Sequence, residues 1–263
     1  QITWTYTSLV KYNGVIYYVD RSMIRWNHRG LVESNGTLYY VSNSMVDYNF
    51  NDLYEQDGKY YYIKNGQVDK SYTGICKYNG KRYYIENGVI NSQYTGVVEN
   101  GGNYLYVTKG IVDENYTALT YYKNNWYYFD NGSVNWNYSN LILYNNTWYY
   151  IHKGMIHWDY NGVVQYYQTK YCVKNGEVAW NYTGLAQSED GTWYYIKKGV
   201  VDYSHSGLIY YNNEWFYVDH GVINWDYCSL VLYDKRWDYV DHGKINWGYT
   251  DLVKYGETWY YVR

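Results

Sequence analysis

The chain repeats itself every 22 residues, and this period restricts the possible folds more than any other feature of the sequence. The repeats begin at positions 6, 28, 50, 72, 94, 116, 138, 160, 182, 205, 227 and 249, and the ninth carries one extra residue within 188–191. A period of roughly 20 to 50 residues is typical of architectures in which each repeat buries its apolar face against its neighbours. We therefore interpret residues 1–263 as a single array of about twelve repeats, and we expect it to be a fragment of a longer protein.

Each repeat has the pattern of a β-hairpin. Pairs such as Asn13-Gly14 and Asn79-Gly80 separate short apolar runs, and Asn and Gly accept the positive φ of two-residue hairpin loops. The chain contains 45 Tyr and no Pro, so aromatic strand formers are abundant and no residue deletes a strand hydrogen-bond donor. Because one 22-residue hairpin is not stable alone in water, the sequence predicts an all-β fold, a β-hairpin solenoid.

Three slots of the repeat hold aliphatic or other apolar residues in nearly every copy, and we expect them to form the core. Each slot is represented by one residue per repeat, as in Leu141, Ile151 and Ile156 of the repeat that begins at Tyr138. Tyr pairs such as Tyr149-Tyr150 alternate between the two faces of a strand. We expect these pairs to be structural, with one ring packed and the other hydroxyl turned outward.

All thirteen tryptophans fall in two slots, and both slots accept charge in other repeats, as at Arg82, Lys170 and Glu114. Because burial of an unpaired charge is very costly, we expect these indoles to be partly exposed along grooves between hairpins. The grooves could bind sugars or quaternary ammonium groups, or the indoles could simply pack on the next hairpin. No Trp occurs between positions 50 and 125. The candidate ligand-binding residues are Trp126, Trp136, Trp148, Trp158, Trp180, Trp193, Trp215, Trp225, Trp237, Trp247 and Trp259.

Composition argues against several other functions. The formal net charge is −3 without a basic patch, which disfavours nucleic acid as a partner. No stretch approaches the roughly 20 apolar residues that cross a bilayer, so we expect no membrane insertion. The residues Cys76, Cys172 and Cys228 replace Val, Tyr and Thr in their slots, and we interpret them as occasional substitutions.

The polar residues suggest neither catalysis nor a cofactor. Asp47, Asp69, Asp113 and Asp202 recur in one slot beside a turn, where Asp usually bonds the local backbone. His220 and His242 each lie in a Val-Asp-His-Gly tetrapeptide, which could place Asp–His pairs at successive turns as a metal site. The following Gly marks a turn tip, however, so the sequence favours solvated loops and no metal.

The runs Trp126-Tyr-Tyr-Phe129 and Trp148-Tyr-Tyr-Ile151, each followed by Asn-Gly or Lys-Gly, resemble the aromatic cell-wall-binding repeats of Gram-positive surface proteins. That group includes choline-binding modules, streptococcal glucan-binding repeats and the C-terminal repeats of large clostridial toxins. The sequence looks most similar to 22-residue repeats of gut clostridial surface proteins. The resemblance implies a non-catalytic, secreted or cell-surface bacterial module for adhesion that recognises cell-wall or host glycans.

Choline-binding members of that group use the Trp of a Gly-Trp pair as one wall of an aromatic cage. Here the pairs are Gly96-Val97, Gly162-Val163, Gly184-Leu185 and Gly207-Leu208. The resemblance therefore implies a cage that lacks one wall, for which Trp180 is the candidate substitute.

Three functions stay open at this point. The first is carbohydrate or cell-wall binding through many weak equivalent sites, whose affinities combine by multivalency. The second is an adhesin surface for a host or bacterial protein, with exposed Tyr and Trp as anchors. The third is a structural stalk or fibre. Side-by-side self-association of two chains also stays open.

Overall fold

The computed structural model describes residues 4–263. The chain divides into two compact units, one ending at Thr117 together with Phe129–Val134, the other made of Ala118–Tyr128 and Asn135–Arg263. Across residues 4–263 the regular secondary structure is all β-strand. In this part of the chain we find no helix with the length and apolarity that a bilayer crossing requires. These observations confirm the predicted all-β class.

Each full repeat contributes three strands, which we call A, B and C in chain order. The C strand has only two residues, and the last repeat contributes A and B alone. The strands are β1 (Ser8–Tyr12), β2 (Val15–Asp20), β3 (Met23–Ile24), β4 (Gly30–Ser34), β5 (Thr37–Ser42), β6 (Met45–Val46), β7 (Leu53–Gln56), β8 (Lys59–Lys64), β9 (Gln67–Val68), β10 (Gly74–Tyr78), β11 (Lys81–Glu86), β12 (Val89–Ile90), β13 (Gly96–Asn100), β14 (Asn103–Thr108), β15 (Ile111–Val112), β16 (Ala118–Tyr122), β17 (Asn125–Asp130), β18 (Ser133–Val134), β19 (Asn140–Tyr144), β20 (Thr147–His152), β21 (Met155–Ile156), β22 (Gly162–Tyr166), β23 (Thr169–Lys174), β24 (Glu177–Val178), β25 (Gly184–Gln187), β26 (Trp193–Lys197), β27 (Val200–Val201), β28 (Gly207–Tyr211), β29 (Glu214–Asp219), β30 (Val222–Ile223), β31 (Ser229–Tyr233), β32 (Arg236–Asp241), β33 (Lys244–Ile245), β34 (Asp251–Tyr255) and β35 (Thr258–Val262).

Strands A and B form the predicted hairpin. In the repeat that begins at Tyr138, β19 pairs antiparallel with β20 from Asn140↔Ile151 to Tyr144↔Thr147. The turn between them, Asn145-Asn146, has φ values of 47° and 63°. Two positive φ values in succession match the twist of the flanking strands, and this is why Asn and Gly dominate the slot.

Adjacent repeats are joined by the short C strand. Strand B of one repeat pairs with strand C of the next, as in Tyr149↔Glu177, and the amide of Tyr150 donates to the carbonyl of Gly176 at 2.8 Å. The same bond recurs as Tyr18–Ser44, Tyr40–Gly66, Tyr62–Gly88, Tyr84–Gly110, Tyr106–Gly132, Tyr128–Gly154, Cys172–Gly199, Tyr195–Gly221 and Tyr217–Gly243. This serial pairing of hairpins is the β-hairpin solenoid that the sequence predicts.

The glycine of the B–C turn is required by a close approach of backbone. A Cβ on Gly66 would lie 2.5 Å from the carbonyl oxygen of Asp47 in the preceding repeat, and its φ is +69°. Both facts exclude most side chains at this position. Ser22 and Ser44 replace the glycine in two repeats, with φ values of 63° and 58°, and Ser44 is fully buried.

The three aliphatic slots form the core, as predicted. The strand B slot is completely inaccessible in ten consecutive repeats: Val41, Ile63, Ile85, Val107, Phe129, Ile151, Val173, Ile196, Val218 and Val240. Residues of the other two slots pack around it, for example Leu119 and Ile156 beside Ile151. Each such burial contributes about 1.5–3 kcal/mol relative to an exposed side chain.

A second packed element is a set of stacked rings that we call the tyrosine column. The second aromatic residue of strand B stacks on the first residue of the following repeat, with centroids 3.5 to 4.5 Å apart. The ring pairs are Tyr18–His28, Tyr40–Phe50, Tyr62–Tyr72, Tyr84–Tyr94, Tyr106–Tyr116, Tyr128–Tyr138, Tyr150–Tyr160, Tyr195–His205, Tyr217–Tyr227 and Tyr239–Tyr249. The hydroxyl of the second ring then donates to a nearby carbonyl, as from Tyr72 to Ile75 at 2.8 Å.

Candidate functional site: two aromatic rows

The tryptophans are accessible, as their tolerance of charged replacements predicts. Eight are exposed, and the exposed fraction ranges from 42% for Trp225 to 63% for Trp247. The other five are half-buried: Trp126, Trp136, Trp148, Trp193 and Trp215. None of the thirteen belongs to the core, so a ligand can reach at least part of every indole.

The first row is formed by the Trp at the start of strand B and a Tyr at the end of strand A in the following repeat. Their rings meet at a steep angle, with centroids 4.8 to 5.7 Å apart. The pairs are Trp126–Tyr144, Trp148–Tyr166, Trp193–Tyr211, Trp215–Tyr233 and Trp237–Tyr255. Each pair therefore joins two neighbouring repeats.

The second row is formed within single repeats. The Trp that follows strand C meets the first aromatic residue of strand B edge-on, with centroids 5.7 to 6.1 Å apart. The pairs are Tyr17–Trp26, Tyr127–Trp136, Tyr149–Trp158, Tyr171–Trp180 and Phe216–Trp225. Tyr149 is thus half-buried, and its partner Tyr150 is buried at 6% exposure. Both rings pack on aromatic partners, Tyr149 on Trp158 and Tyr150 on Tyr160, and the outward hydroxyl of such pairs stays a prediction.

One repeat replaces the aromatic partner of the second row with an ion pair. Asp238 occupies the strand B slot, and its buried carboxylate lies 2.9 Å from the Arg236 guanidinium. That guanidinium lies 5.1 Å from the ring centroid of Trp247. A cation over an indole face is favourable, so the arginine partly covers the most exposed tryptophan.

The two rows meet in one cleft of about 310 Å³ in the second unit. Trp193 and Tyr211 form one side, and Phe216 and Trp225 form the other. Lys244 lies at the rim, 2.7 Å from the Glu214 carboxylate. The cleft therefore combines four aromatic rings with one ion pair, so apolar and polar surfaces lie side by side in it.

The Trp-free stretch has grooves with a different lining. A cleft of about 500 Å³ lies between Tyr60, Tyr61 and Tyr83, and Ser92 occupies the slot that holds Trp in other repeats. A second cleft of about 380 Å³ contains the Arg82–Glu114 ion pair, with a separation of 3.3 Å. The grooves persist where the indoles are absent, with tyrosine rings lining one of them and an ion pair lining the other.

The position that corresponds to the Trp of the Gly-Trp pair belongs to the core in this chain. Val97, Val163, Leu185 and Leu208 are all buried, with at most 7% exposure. An aromatic ring therefore has no equivalent place there, and Trp180 lies elsewhere, edge-on to Tyr171. The structure does not place Trp180 in the position of that wall.

An aromatic face does accept a cation where the tyrosine column is interrupted. Cys172 replaces the column residue that would stack on Tyr182. The Lys174 ammonium lies instead 3.4 Å from the Tyr182 ring centroid. Burial raises the pKa of Tyr182 to about 12, so the phenol is neutral and its ring binds the ammonium through its π-face.

The recurrent carboxylates serve the backbone, as predicted. Asp47 and Asp202 each accept a bond at 3.0 Å from the amide two residues later. Asp69 does the same with Ser71, whose hydroxyl also donates at 2.6 Å, and this hydrogen bond lowers the pKa of Asp69. The roles predicted for these residues in local turns are confirmed.

His220 and His242 lie at exposed turn tips, with 84% and 81% of their side chains accessible. Each Nδ1 lies within 2.8 Å of the preceding aspartate, Asp219 or Asp241. The predicted solvated loops are confirmed. The Cys228 sulfur also lies beside His242, where it accepts from the His242 amide at 3.2 Å, and this contact was not predicted.

Comparison with known families places these repeats in context. The model of the choline-binding repeat matches residues 49–69, 71–91, 93–113, 137–157, 159–178, 181–202, 206–224 and 248–263, together more than half of the chain. No curated protein sequence matches significantly.

Several solved structures show similarity at low identity. Choline binding protein F from Streptococcus pneumoniae is 17% identical, with a TM-score of 0.29, over 91% of this chain and 93% of that one. Alternansucrase in complex with isomaltononaose is 16% identical, with a TM-score of 0.31, over 91% of this chain, which spans only 18% of the alternansucrase. The Cpl-1 endolysin complexed with a peptidoglycan analogue is 23% identical, with a TM-score of 0.25, over 49% of this chain and 37% of that one.

Proposed function

The chain belongs to the choline-binding repeat family, and from this premise we propose that it is a non-catalytic attachment module of a secreted or cell-surface bacterial protein. Its ligands are cell-wall or host glycans, which bind along the aromatic clefts. The observation that carries this proposal is the cleft in which Trp193, Tyr211 and Trp225 converge. The exposed indoles of both rows extend the same chemistry along the second unit.

Aromatic surface that is exposed to water is unfavourable in free energy. Eight exposed indoles leave much apolar area in water, and contiguous exposed apolar surface is typical of interaction sites. A sugar ring presents C–H groups on one face and hydroxyls at its edge. It can therefore stack on Trp225 while its hydroxyls contact the Glu214 and Lys244 pair at the rim.

Equivalent sites in successive repeats suit a polymeric ligand. Each site is shallow and binds weakly, but a glycan chain that occupies several sites gains affinity from the high effective concentration of its linked units. The Trp-free stretch, where Ser92 and Glu114 replace indoles, contributes less to such binding.

A quaternary ammonium such as choline is the second candidate ligand. The 3.4 Å contact of Lys174 with Tyr182 shows that an aromatic face here already binds an ammonium group. The buried Leu185 at the position of the missing cage wall weighs against choline, so we place it second.

The test uses substitutions that other repeats already contain. Trp225→Ser copies Ser92, and Trp193→Tyr copies Tyr60 and Tyr104. The double variant and the parent chain are compared for retention on purified peptidoglycan, on a glycan array and on choline resin. Tyr167→Asn is the matched control, because it removes an 84% exposed ring at a turn where other repeats have Asn.

We expect the double variant to lose glycan retention several-fold, because it removes one indole face of the cleft and reduces a second, while Tyr167→Asn retains it. Retention on choline resin alone would favour the second candidate. Undiminished retention of the double variant would contradict both. Recovery of a protein partner that depends on the same indoles would indicate an adhesin surface, and failure of every ligand would favour a stalk.

A further inference from the structure

Three groups with metal-binding atoms meet beside one turn of the repeat that begins at Tyr227. The Sγ of Cys228 lies 3.7 Å from Oδ1 of Asp241, and the same oxygen lies 2.7 Å from Nδ1 of His242. Within residues 4–263 this is the single cluster of three such groups whose ligand atoms all lie within 4.8 Å of one another. It is separate from the aromatic clefts.

The fold explains why these residues meet. The second residue of most repeats is Thr, Ser or Asn, and its side chain accepts the amide hydrogen of the residue at the B–C turn. Examples are Thr73 from Asn87 at 3.1 Å and Ser139 from Lys153 at 3.0 Å. Cys228 occupies this slot, and its sulfur accepts from the amide of His242 at 3.2 Å. Backbone pairing thus holds the thiol beside the Asp–His pair.

From this geometry we propose that Cys228, Asp241 and His242 form a binding site for one Zn²⁺ ion or a similar borderline-soft divalent cation. The Cys228 thiolate, one Asp241 oxygen and the His242 Nδ1 are the three protein ligands. Water completes the fourth position, as in zinc sites with three protein ligands.

The donor set matches zinc in type, and its three atoms lie within 4.8 Å of one another. Thiolate, imidazole and carboxylate are the ligands that Zn²⁺ takes in proteins, at about 2.0–2.3 Å. Tetrahedral geometry at these bond lengths places ligand atoms about 3.3–3.6 Å apart. The Sγ–Oδ1 separation is already 3.7 Å, and the Nδ1–Oδ1 pair need only open from 2.7 Å, which an exposed imidazole can do.

Zinc binding at this site is coupled to deprotonation of its ligands. Metal binding releases the thiol proton of Cys228 to solvent and requires a neutral imidazole.

The preceding repeat supplies a natural control. Ser206, Asp219 and His220 have the same arrangement, with Ser206 Oγ 3.2 Å from Asp219 Oδ1 and accepting from the His220 amide at 3.0 Å. Only the sulfur is missing. We expect this triad to bind zinc far more weakly, because a neutral hydroxyl replaces the thiolate.

The experiment is a Zn²⁺ titration of the whole chain in a non-chelating reductant, with Co²⁺ as a spectroscopic probe of thiolate ligation. We expect one Zn²⁺ per chain and a thiolate-to-Co²⁺ charge-transfer band. Cys228→Ser, which copies Ser206, and His242→Asn, which copies Asn65, should each weaken binding by at least about tenfold. Both copy other repeats, so they should fold, and circular dichroism checks this.

Ser206→Cys tests the donor set by gain of function, because it recreates the cluster one repeat earlier and should raise the stoichiometry to two. His220→Asn in the parent chain should change nothing. The proposal is overturned if the parent binds no Zn²⁺, if Cys228→Ser leaves affinity unchanged, or if Ser206→Cys adds no second site. Cys172 does not compete, because it is 1% exposed.

Discussion

The ring of Tyr116 lies parallel to that of Tyr106, with an interplanar angle of 3° and a centroid separation of 3.5 Å. Tyr116 is the first residue of its repeat and Tyr106 belongs to strand β14 of the repeat before it. The tyrosine column therefore holds successive repeats together beside the hydrogen bonds of the C strand.

Tyr116→Ala should lower the free energy of unfolding by about 3–5 kcal/mol, because it removes a large packed ring and leaves a cavity. Tyr116→Phe keeps the stack, as Phe50 does naturally on Tyr40 at 4.0 Å, and should cost only about 1 kcal/mol for the lost hydroxyl. Urea unfolding followed by near-ultraviolet circular dichroism measures both. Equal costs for Ala and Phe would show that the stack contributes nothing.

Substitutions at two glycines distinguish the free-energy cost of a left-handed backbone from the cost of a steric clash. Gly66 and Gly58 have φ values of +69° and +73°, but an added Cβ meets the Asp47 carbonyl at 2.5 Å only at Gly66. We expect Gly58→Ala to cost about 1–2 kcal/mol for the left-handed conformation alone. Gly66→Ala should cost about 1–3 kcal/mol more, because the added Cβ forces the backbone to shift. Thermal unfolding of the two variants measures the difference. Equal unfolding midpoints would show that a Cβ added at Gly66 does not clash with the Asp47 carbonyl.

The stability of the first unit should decrease in mild acid because of His28. Burial lowers the pKa of His28 from 6.5, against a smaller opposite effect of Asp20, and its Nε2 is buried without a hydrogen-bond partner. The unfolded chain therefore binds the proton more tightly than the folded chain. The stability that the neutral form of His28 allows is fully present above pH 6.5. It falls as the pH drops below that value.

His28→Phe, which copies Phe50, should flatten this part of the pH profile while the column stack on Tyr18 persists. Unfolding midpoints at about pH 5 and pH 8, on either side of the ordinary histidine range, make the comparison. An unchanged pH profile in the variant would assign the effect to other groups.

The three cysteines should react with iodoacetamide at very different rates in metal-free buffer. Cys228 is exposed, Cys76 is intermediate and Cys172 is buried. Burial raises the pKa of Cys76 and raises that of Cys172 to about 11, and the thiolate is the reactive form. Mass spectrometry should find Cys228 labelled first and Cys172 labelled only after unfolding, and early labelling of Cys172 would contradict its burial.

The hairpins and the core could be predicted because their causes are local. The Asn145-Asn146 turn is fixed by two residues that accept positive φ, and the slot of Ile151 is apolar in every repeat. The exposure of the indoles also followed from one chain, because Arg82 and Glu114 occupy the same slots.

Contacts between repeats could not be predicted in the same way. The pairing of Trp193 with Tyr211 depends on how strand B of one repeat lies against strand A of the next. The spacing of residues along the sequence does not determine that arrangement. The stacking of Tyr116 on Tyr106 likewise joins two repeats and could not be read from one repeat alone. Cys228 looked like a chance substitution, although the Thr and Ser of its slot were a signal of a side chain that serves the turn.

The extra residue of the ninth repeat lies in the loop between strands A and B, where Asp190 accepts from the Thr192 amide at 2.9 Å. The bonds that join that repeat to its neighbours are undisturbed, since Cys172 N to Gly199 O measures 2.8 Å, the same as Tyr150 N to Gly176 O. Insertions at this edge of the sheet therefore change a loop without shifting the register. At the opposite edge, where each strand C pairs with the preceding repeat, we expect a single inserted residue to break that pairing, so that only gain or loss of complete repeats preserves it.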